Sequence, residues 1–299
     1  MKMKKIVLWS ALGLCLSFTP AAAQYSLYWD LPASPAGLSL GLSSLILVPE
    51  PEGTIINPAS LSSVKWRSAK AAGLQWWQDV YAGAFSAAIP FGRFGTAGAS
   101  LGYWSFGTMA GLGPNGENLG NFESQALLWS AGYGRPLFLG WSAGFVVKGY
   151  SLLMLERKDW SWGGDFSLKY DYKFISAHIL ARNLGPKYPV NNAVKFNLPA
   201  SANLGLATKF WQDRLAAALM YSSVRGLPPY LSAGVELKPL SFIALRFGYD
   251  NDDNKPERSR FGLGLSLNTT GAQDYAVEYG YRSYGALGNV HAVSLGLSF

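Results

Sequence analysis

The sequence predicts an all-β protein: a transmembrane antiparallel β-barrel of about fourteen strands with a short N-terminal plug segment. Three observations predict it. The final residues alternate strictly, with Val293, Leu295, Leu297 and Phe299 on one face and Ala292, Ser294, Gly296 and Ser298 on the other. That pattern is a strand with lipid on one side and a crowded lumen on the other. Charged residues make up 14% of the chain, against roughly 25% in soluble domains. Aromatics match them at 14%, beside 34 glycines. No apolar run beyond residue 23 approaches the roughly 20 residues that a membrane helix needs.

The chain opens with Lys2, Lys4 and Lys5, an apolar run over 6–18 and Ala21-Ala22-Ala23 before Gln24. This order reads as a secretory signal peptide over 1–23, cut after Ala23. Cys15 is the one cysteine and follows Leu14, which disfavours a lipoprotein site. Its removal with the signal leaves no thiol for a disulfide, zinc site or nucleophile. Loss of the three lysines brings 25 Lys and Arg to 22 against 18 acids, a net charge of about +4. So small and scattered a charge excludes nucleic acid as a partner.

Residues 24–64 form the expected plug. They hold Pro32, Pro35, Pro49, Pro51 and Pro58 and a Leu- and Ser-rich stretch over 38–48. The stretch is too apolar to stay solvated as a periplasmic tail. The motif Asn57, Pro58, Ala59, Leu61 reads as a helix start, with Asn57 as N-cap and Pro58 in the first helical position.

Residues 65–299 form the expected barrel. Strands are expected over 65–75, 80–90, 94–105, 123–134, 140–154, 161–172, 174–183, 199–210, 213–223, 229–238, 241–250, 259–268, 274–282 and 290–299. Short connections alternate with longer ones at 106–122, 184–198 and 251–258, as periplasmic turns alternate with outer loops. An even count puts both ends of the barrel domain on the periplasmic side. In the C-terminal half the faces separate cleanly: Ile243, Leu245 and Phe247 oppose Arg246 and Asp250, and Tyr275, Val277 and Tyr279 oppose Glu278 and Arg282. Charges gather on the small-residue face, which is therefore the lumen, because Lys or Arg at mid-depth in lipid costs about 2–4 kcal/mol. The first strand has no clean face, with Lys70 among alanines. Trp and Tyr gather near strand ends, as two interfacial girdles do. Phe299 and its alternating neighbours Val293, Leu295 and Leu297 are the expected C-terminal insertion signal, read by the barrel-assembly machinery. Outer-membrane lipid is the other expected partner.

Motif tests exclude most chemistry. Gly111-Leu112-Gly113-Pro114-Asn115-Gly116 has the dinucleotide spacing, but no helix follows it. Asp250-Asn251-Asp252-Asp253-Asn254 opens like a calcium loop, yet Lys255 and Phe261 stand where Gly and Glu are required. It reads as a solvated acidic loop. The two histidines, His178 and His291, lie on different strands with no local Ser–His–Asp set. No cofactor and no enzymatic activity are expected. The lumen-facing polar candidates are His178, Arg182, Glu236, Arg246, Glu278 and Arg282; confined charges need partners, so internal pairing is their first reading.

Several motifs together resemble PorV/PorQ-type outer-membrane proteins and their FadL-like relatives. They are Ala36-Gly37-Leu38 with Asn57-Pro58-Ala59-Ser60-Leu61, then Arg182-Asn183-Leu184-Gly185-Pro186 with Leu198-Pro199, then Arg246-Phe247-Gly248-Tyr249 and the strand 288–299. Ser60 departs from the glycine of the motif. The resemblance implies a fourteen-stranded FadL-like barrel in the bacterial outer membrane. It also implies one of two non-enzymatic functions: an accessory of type IX-like secretion that binds a secretion component or cargo, or passage of hydrophobic small molecules. The secretion reading stands first at this point.

Overall fold

The structure, a computed structural model, describes residues 34–47, 51, 57–76, 80–112, 117–154, 157–189, 195–254, 258–269 and 273–299. The expected signal peptide and parts of the plug segment lie outside these residues. Sixteen strands are seen among them: β1 Ser68–Gln75, β2 Tyr81–Pro90, β3 Thr96–Leu112, β4 Asn118–Pro136, β5 Trp141–Met154, β6 Arg157–Tyr172, β7 Ile175–Leu184, β8 Tyr188–Pro189, β9 Lys195–Phe196, β10 Ser201–Phe210, β11 Leu215–Val224, β12 Tyr230–Leu240, β13 Ile243–Asp250, β14 Phe261–Asn268, β15 Asp274–Ser283 and β16 Asn289–Ser298. Fourteen of them close an antiparallel barrel; β8 and β9 form a separate two-stranded sheet. Closure is made by β1 on β16, from Ser68 opposite Ser298 to Gln75 opposite His291. No strand edge is left open in the barrel, which is what a sheet in lipid requires.

The burial pattern follows the pleat. In β13, Ala244, Arg246, Gly248 and Asp250 are buried while Leu245 and Phe247 are exposed. In β16, Ala292 and Ser294 turn inward and Val293 and Leu295 outward. Exposed apolar side chains therefore mark the lipid face, and buried small or charged ones mark the lumen.

Two segments expected as long loops are ordered differently. Residues 106–112 and 118–122 extend the β3–β4 pairing, with a register shift between Ser105 and Thr108 where Gly107 takes a φ of 73°. Clear of the lipid, this extension needs no apolar face, so its glycine-rich sequence lacks the alternation that marks a strand. In the second segment β8 pairs with β9, Tyr188 opposite Phe196 and Pro189 opposite Lys195.

The N-terminal segment lies inside the barrel. A helix spans Pro35–Leu40, a 3₁₀ turn Gly41–Ser43 and a second short helix Ser44–Leu47. Ser34 caps the first helix by accepting from the Gly37 amide at 3.1 Å, and Pro35 fills its first position. The Leu–Ser sequence suits this place. Leu40, Leu45, Ile46 and Leu47 pack against Leu180, Ala218 and Met220 of the wall. The serines satisfy themselves: Ser39 Oγ donates to the Pro35 carbonyl at 2.8 Å, Ser43 Oγ to Leu40 at 2.7 Å and Ser44 Oγ to Gly41 at 2.6 Å. Such back-bonding removes the cost of burying a hydroxyl.

Candidate functional site

The lumen is organised around the plug: an apolar cluster lies beyond the plug helix, paired charges stand on the wall, and a cavity opens at the end that carries the short turns. Leu74, Trp76, Trp104, Leu128, Tyr150, Tyr284 and Val290 form the buried apolar cluster, with Leu38 of the plug helix as its floor. Trp104 is 2% exposed, and its indole N–H has no acceptor among the described residues.

Glu236, Arg246 and Glu278 form one buried chain. Arg246 donates through Nε to Glu236 at 2.8 Å and through Nη1 to Glu278 at 2.6 Å. Glu278 also receives Lys70 Nζ at 2.5 Å and Ser294 Oγ at 2.9 Å. The chain alternates in sign and links β12, β13, β15 and β1. Pairing of this completeness is what makes buried charge tolerable. Lys70 is not among the sequence candidates; its signal is the alternation Ser68, Lys70, Ala72, weakened by alanines on the opposite face.

Arg282 acts on the plug itself. Its Nε donates to the Leu38 carbonyl at 2.8 Å, its Nη2 reaches the Ser39 carbonyl at 3.4 Å, and its Nη1 bonds Asp250. Asp250 in turn accepts from the Leu42 amide at 3.3 Å and from Arg258 at 2.7 Å. Burial works against the Arg258 charge, but the Asp250 carboxylate outweighs it and holds the loop guanidinium above its ordinary range. Gly41 takes a φ of 60° directly against Asp250, where a side chain would meet the carboxylate. The acidic stretch after β13 is therefore spent on arginines: Asp250 on Arg258 and Arg282, Asp253 on Arg260 at 2.8 Å.

The second half of the plug docks on the far wall. Pro58–Ser63 is a 3₁₀ helix with Pro58 in its first turn, but the Asn57 side chain does not cap it. Asn57 thus holds the expected N-cap position without making the cap bond. Asn57 is fully buried, and its amide donates instead to the Leu45 carbonyl at 2.9 Å and faces His178 Nδ1 at 3.2 Å. The Leu45 carbonyl requires a donor, which orients the amide and makes His178 Nδ1 the acceptor. His178 Nε2 then carries the proton toward Ser176 Oγ at 3.0 Å, and Ser176 donates to Asp171 at 2.6 Å. The Ala59 amide donates to Ser167 Oγ at 2.7 Å, and Leu61 is fully buried. Gly144 lies beneath Pro58, so close that any Cβ would collide with the Pro58 carbonyl.

Arg182 stands 4.0 Å from Asp165, which also holds Lys148 at 2.8 Å and the Asn183 amide at 2.7 Å. Lys148 and Asp165 are likewise not among the sequence candidates. At the end of the barrel that carries the short turns a cavity of about 420 Å³ opens below the plug, lined by Leu47, Lys70, Glu236, Arg246, Asn268 and Asp274 among others. The terminal residues Val293, Leu295, Leu297 and Phe299 stand on the outer surface, with the Phe299 amide on the Arg67 carbonyl at 2.9 Å.

No family model and no curated protein matches the chain. Solved structures do. The Ralstonia pickettii toluene transporter TbuX superposes with a TM-score of 0.61 at 12% identity, covering 91% of this chain and 98% of its own. The monoaromatic hydrocarbon channel CymD gives 0.55 at 13% identity, covering 92% and 98%. A Pseudomonas aeruginosa FadL homologue gives 0.56 at 10% identity, covering 90% and 99%. The fold is that of a FadL-type outer-membrane barrel. The fourteen-stranded FadL-like barrel that the motif resemblance implies is therefore the fold observed; no family model or curated relative supports the PorV/PorQ part of that resemblance.

Proposed function

We propose that this protein passes small hydrophobic molecules across the bacterial outer membrane, through a barrel closed by its own N-terminal segment after removal of residues 1–23. One observation carries the reading. Beyond the plug, Trp76, Trp104, Tyr150, Tyr284 and aliphatic side chains form a buried apolar cluster on the lumen face, whereas the wall below carries the paired charges of Glu236, Arg246, Glu278 and Lys70. An apolar solute gains roughly 25 cal/mol for each Å² that it buries against such a cluster, and a hydrophilic one gains nothing comparable. The fold shared with hydrocarbon channels supports the same substrate class. Transport of this kind is non-catalytic. The plug helix at Leu38, tied to Arg282, stands between the apolar cluster and the polar cavity below and so serves as the barrier.

The test is uptake by intact cells that lack other such channels, with toluene and a long-chain fatty acid as probes. Saturable uptake of one class, weakened by Trp104→Ala, is the expected result. Uptake no faster than in cells without the protein, together with recovery of secretion components on affinity purification, would replace this reading by the secretion-accessory one.

A further inference from the structure

The periplasmic rim has a surface that neither closure nor transport uses. Its short turns carry large apolar side chains at their tips: Phe138 is 68% exposed, Leu139 85% and Trp211 75%. Leu139 and Trp211 also hold left-handed backbone, with φ of 51° and 57°. Gly or Asn fills such positions with less strain. A bulky apolar residue there points to something outside the chain that takes up the side chain.

The same turns carry cations. Arg93, Arg135, Lys173 and Arg214 are exposed, and none is in an ion pair among the described residues. The Arg93 guanidinium lies 5.0 Å over the Phe94 ring and the Lys173 ammonium 5.4 Å over the Tyr172 ring. These contacts hold positive charge at the level of the aromatic girdle, where headgroups lie. The rim acids are engaged: Asp171 with Lys169 at 2.9 Å and Asp213 with Lys209 at 4.0 Å. At the opposite end the pattern reverses, since Arg258 and Arg260 are already held by Asp250 and Asp253.

We propose that this rim is a binding collar for anionic phospholipid of the periplasmic leaflet, with Phe138, Leu139 and Trp211 seated among the acyl chains and Arg93, Arg135, Lys173 and Arg214 on the phosphates. Apolar tips beside unmatched cations are complementary to an acidic lipid surface, and guanidinium suits phosphate in particular. The inference depends on the orientation of the barrel and is independent of what passes through it.

The full chain, purified in detergent, would be given equal amounts of phosphatidylglycerol and phosphatidylethanolamine, and retained lipids counted by native mass spectrometry. Each cation near an acidic surface is worth about fivefold in binding at low salt. Phosphatidylglycerol should therefore be retained in clear preference. The preference should vanish in the combined variant Arg93→Gln, Arg135→Gln, Lys173→Gln, Arg214→Gln, and persist in the outer-end control Lys187→Gln. Leu139→Gly with Trp211→Asn relieves the backbone and should still lower retention of both lipids; unchanged retention there would assign these side chains to the fold alone. Equal retention of the two lipids by the native chain, or undiminished preference in the fourfold variant, would overturn the proposal. So would a periplasmic protein bound at the rim in place of lipid.

Discussion

Lys70 and Glu278 meet at 2.5 Å inside the barrel, although 208 positions separate them in the chain and β16 lies between their strands. The pair ties the first strand to the last but one, across the seam where the barrel closes. Glu278 also holds Arg246, so its removal leaves two buried cations without a shared carboxylate. Breaking a buried pair by deleting one partner costs about 3–5 kcal/mol. Glu278→Gln should therefore lower the temperature at which the folded band is lost on unheated gels. Lys70→Met should do so less, because Glu278 keeps Arg246 and Ser294. Equal shifts for the two variants would show that the seam does not depend on the central carboxylate.

The same pair shows what the sequence can reveal. Lipid imposes alternation on β13 to β16, so their outward Leu, Val and Phe and inward Arg246, Glu278 and Arg282 are legible from the residues alone. Lys70 is harder to place, because a strand of alanines has no contrast between faces. The plug is legible as composition, since a Leu-rich segment cannot remain in water, but its contacts are not. Asn57 resembles a helix cap because Pro58 follows it. Its actual partners are Leu45 and His178, the latter 121 positions away, and no local pattern encodes that distance. The extensions of β3 to Leu112 and of β4 from Asn118 are illegible for the opposite reason: beyond the lipid, nothing forces the period of two.

The Arg282 contacts predict a latch. Arg282 holds the Leu38 carbonyl, and Asp250 holds Arg282 and the Leu42 amide. Hydrogen bonds from a charged group contribute about 1.5–3 kcal/mol each. Arg282→Met should raise the population of unseated plug by roughly tenfold or more. In planar bilayers this reads as more frequent opening events, with the folded band on gels retained. A conductance trace like that of the native chain would mean that packing alone seats the helix.

Orientation is open to a direct check. The native chain has the single cysteine Cys15, inside the expected signal peptide. A cysteine introduced at Asp253 should react with an impermeant thiol reagent on intact cells, and one at Ser241, in the β12–β13 turn, should not. Labelling of both to the same extent would reverse or abolish the assigned sidedness, and with it the lipid collar.

Gly144 gives the sharpest separation of plug from barrel. Its inward face touches the Pro58 carbonyl and the Ala59 amide, and it pairs with Gly134 on β4, which itself lies against Pro58 and Leu61. Any side chain at 144 must displace the Pro58–Ser63 turn, because the obstacle is main chain and cannot rotate away. The outer surface and the strand pairing of β5 are untouched by the change, so the barrel should still assemble and stay heat-modifiable. Gly144→Leu should then release the second half of the plug, with loss of the Ala59 to Ser167 bond and of the Asn57 contact with His178. Ser167→Ala is the graded comparison, since it deletes one hydrogen bond worth about 1 kcal/mol and leaves the space free. Steady conductance should rise strongly for Gly144→Leu and slightly for Ser167→Ala. If Gly144→Leu assembles and conducts no better than the native chain, the turn at Pro58 is not part of the barrier, and closure rests on the helix at Leu38 alone.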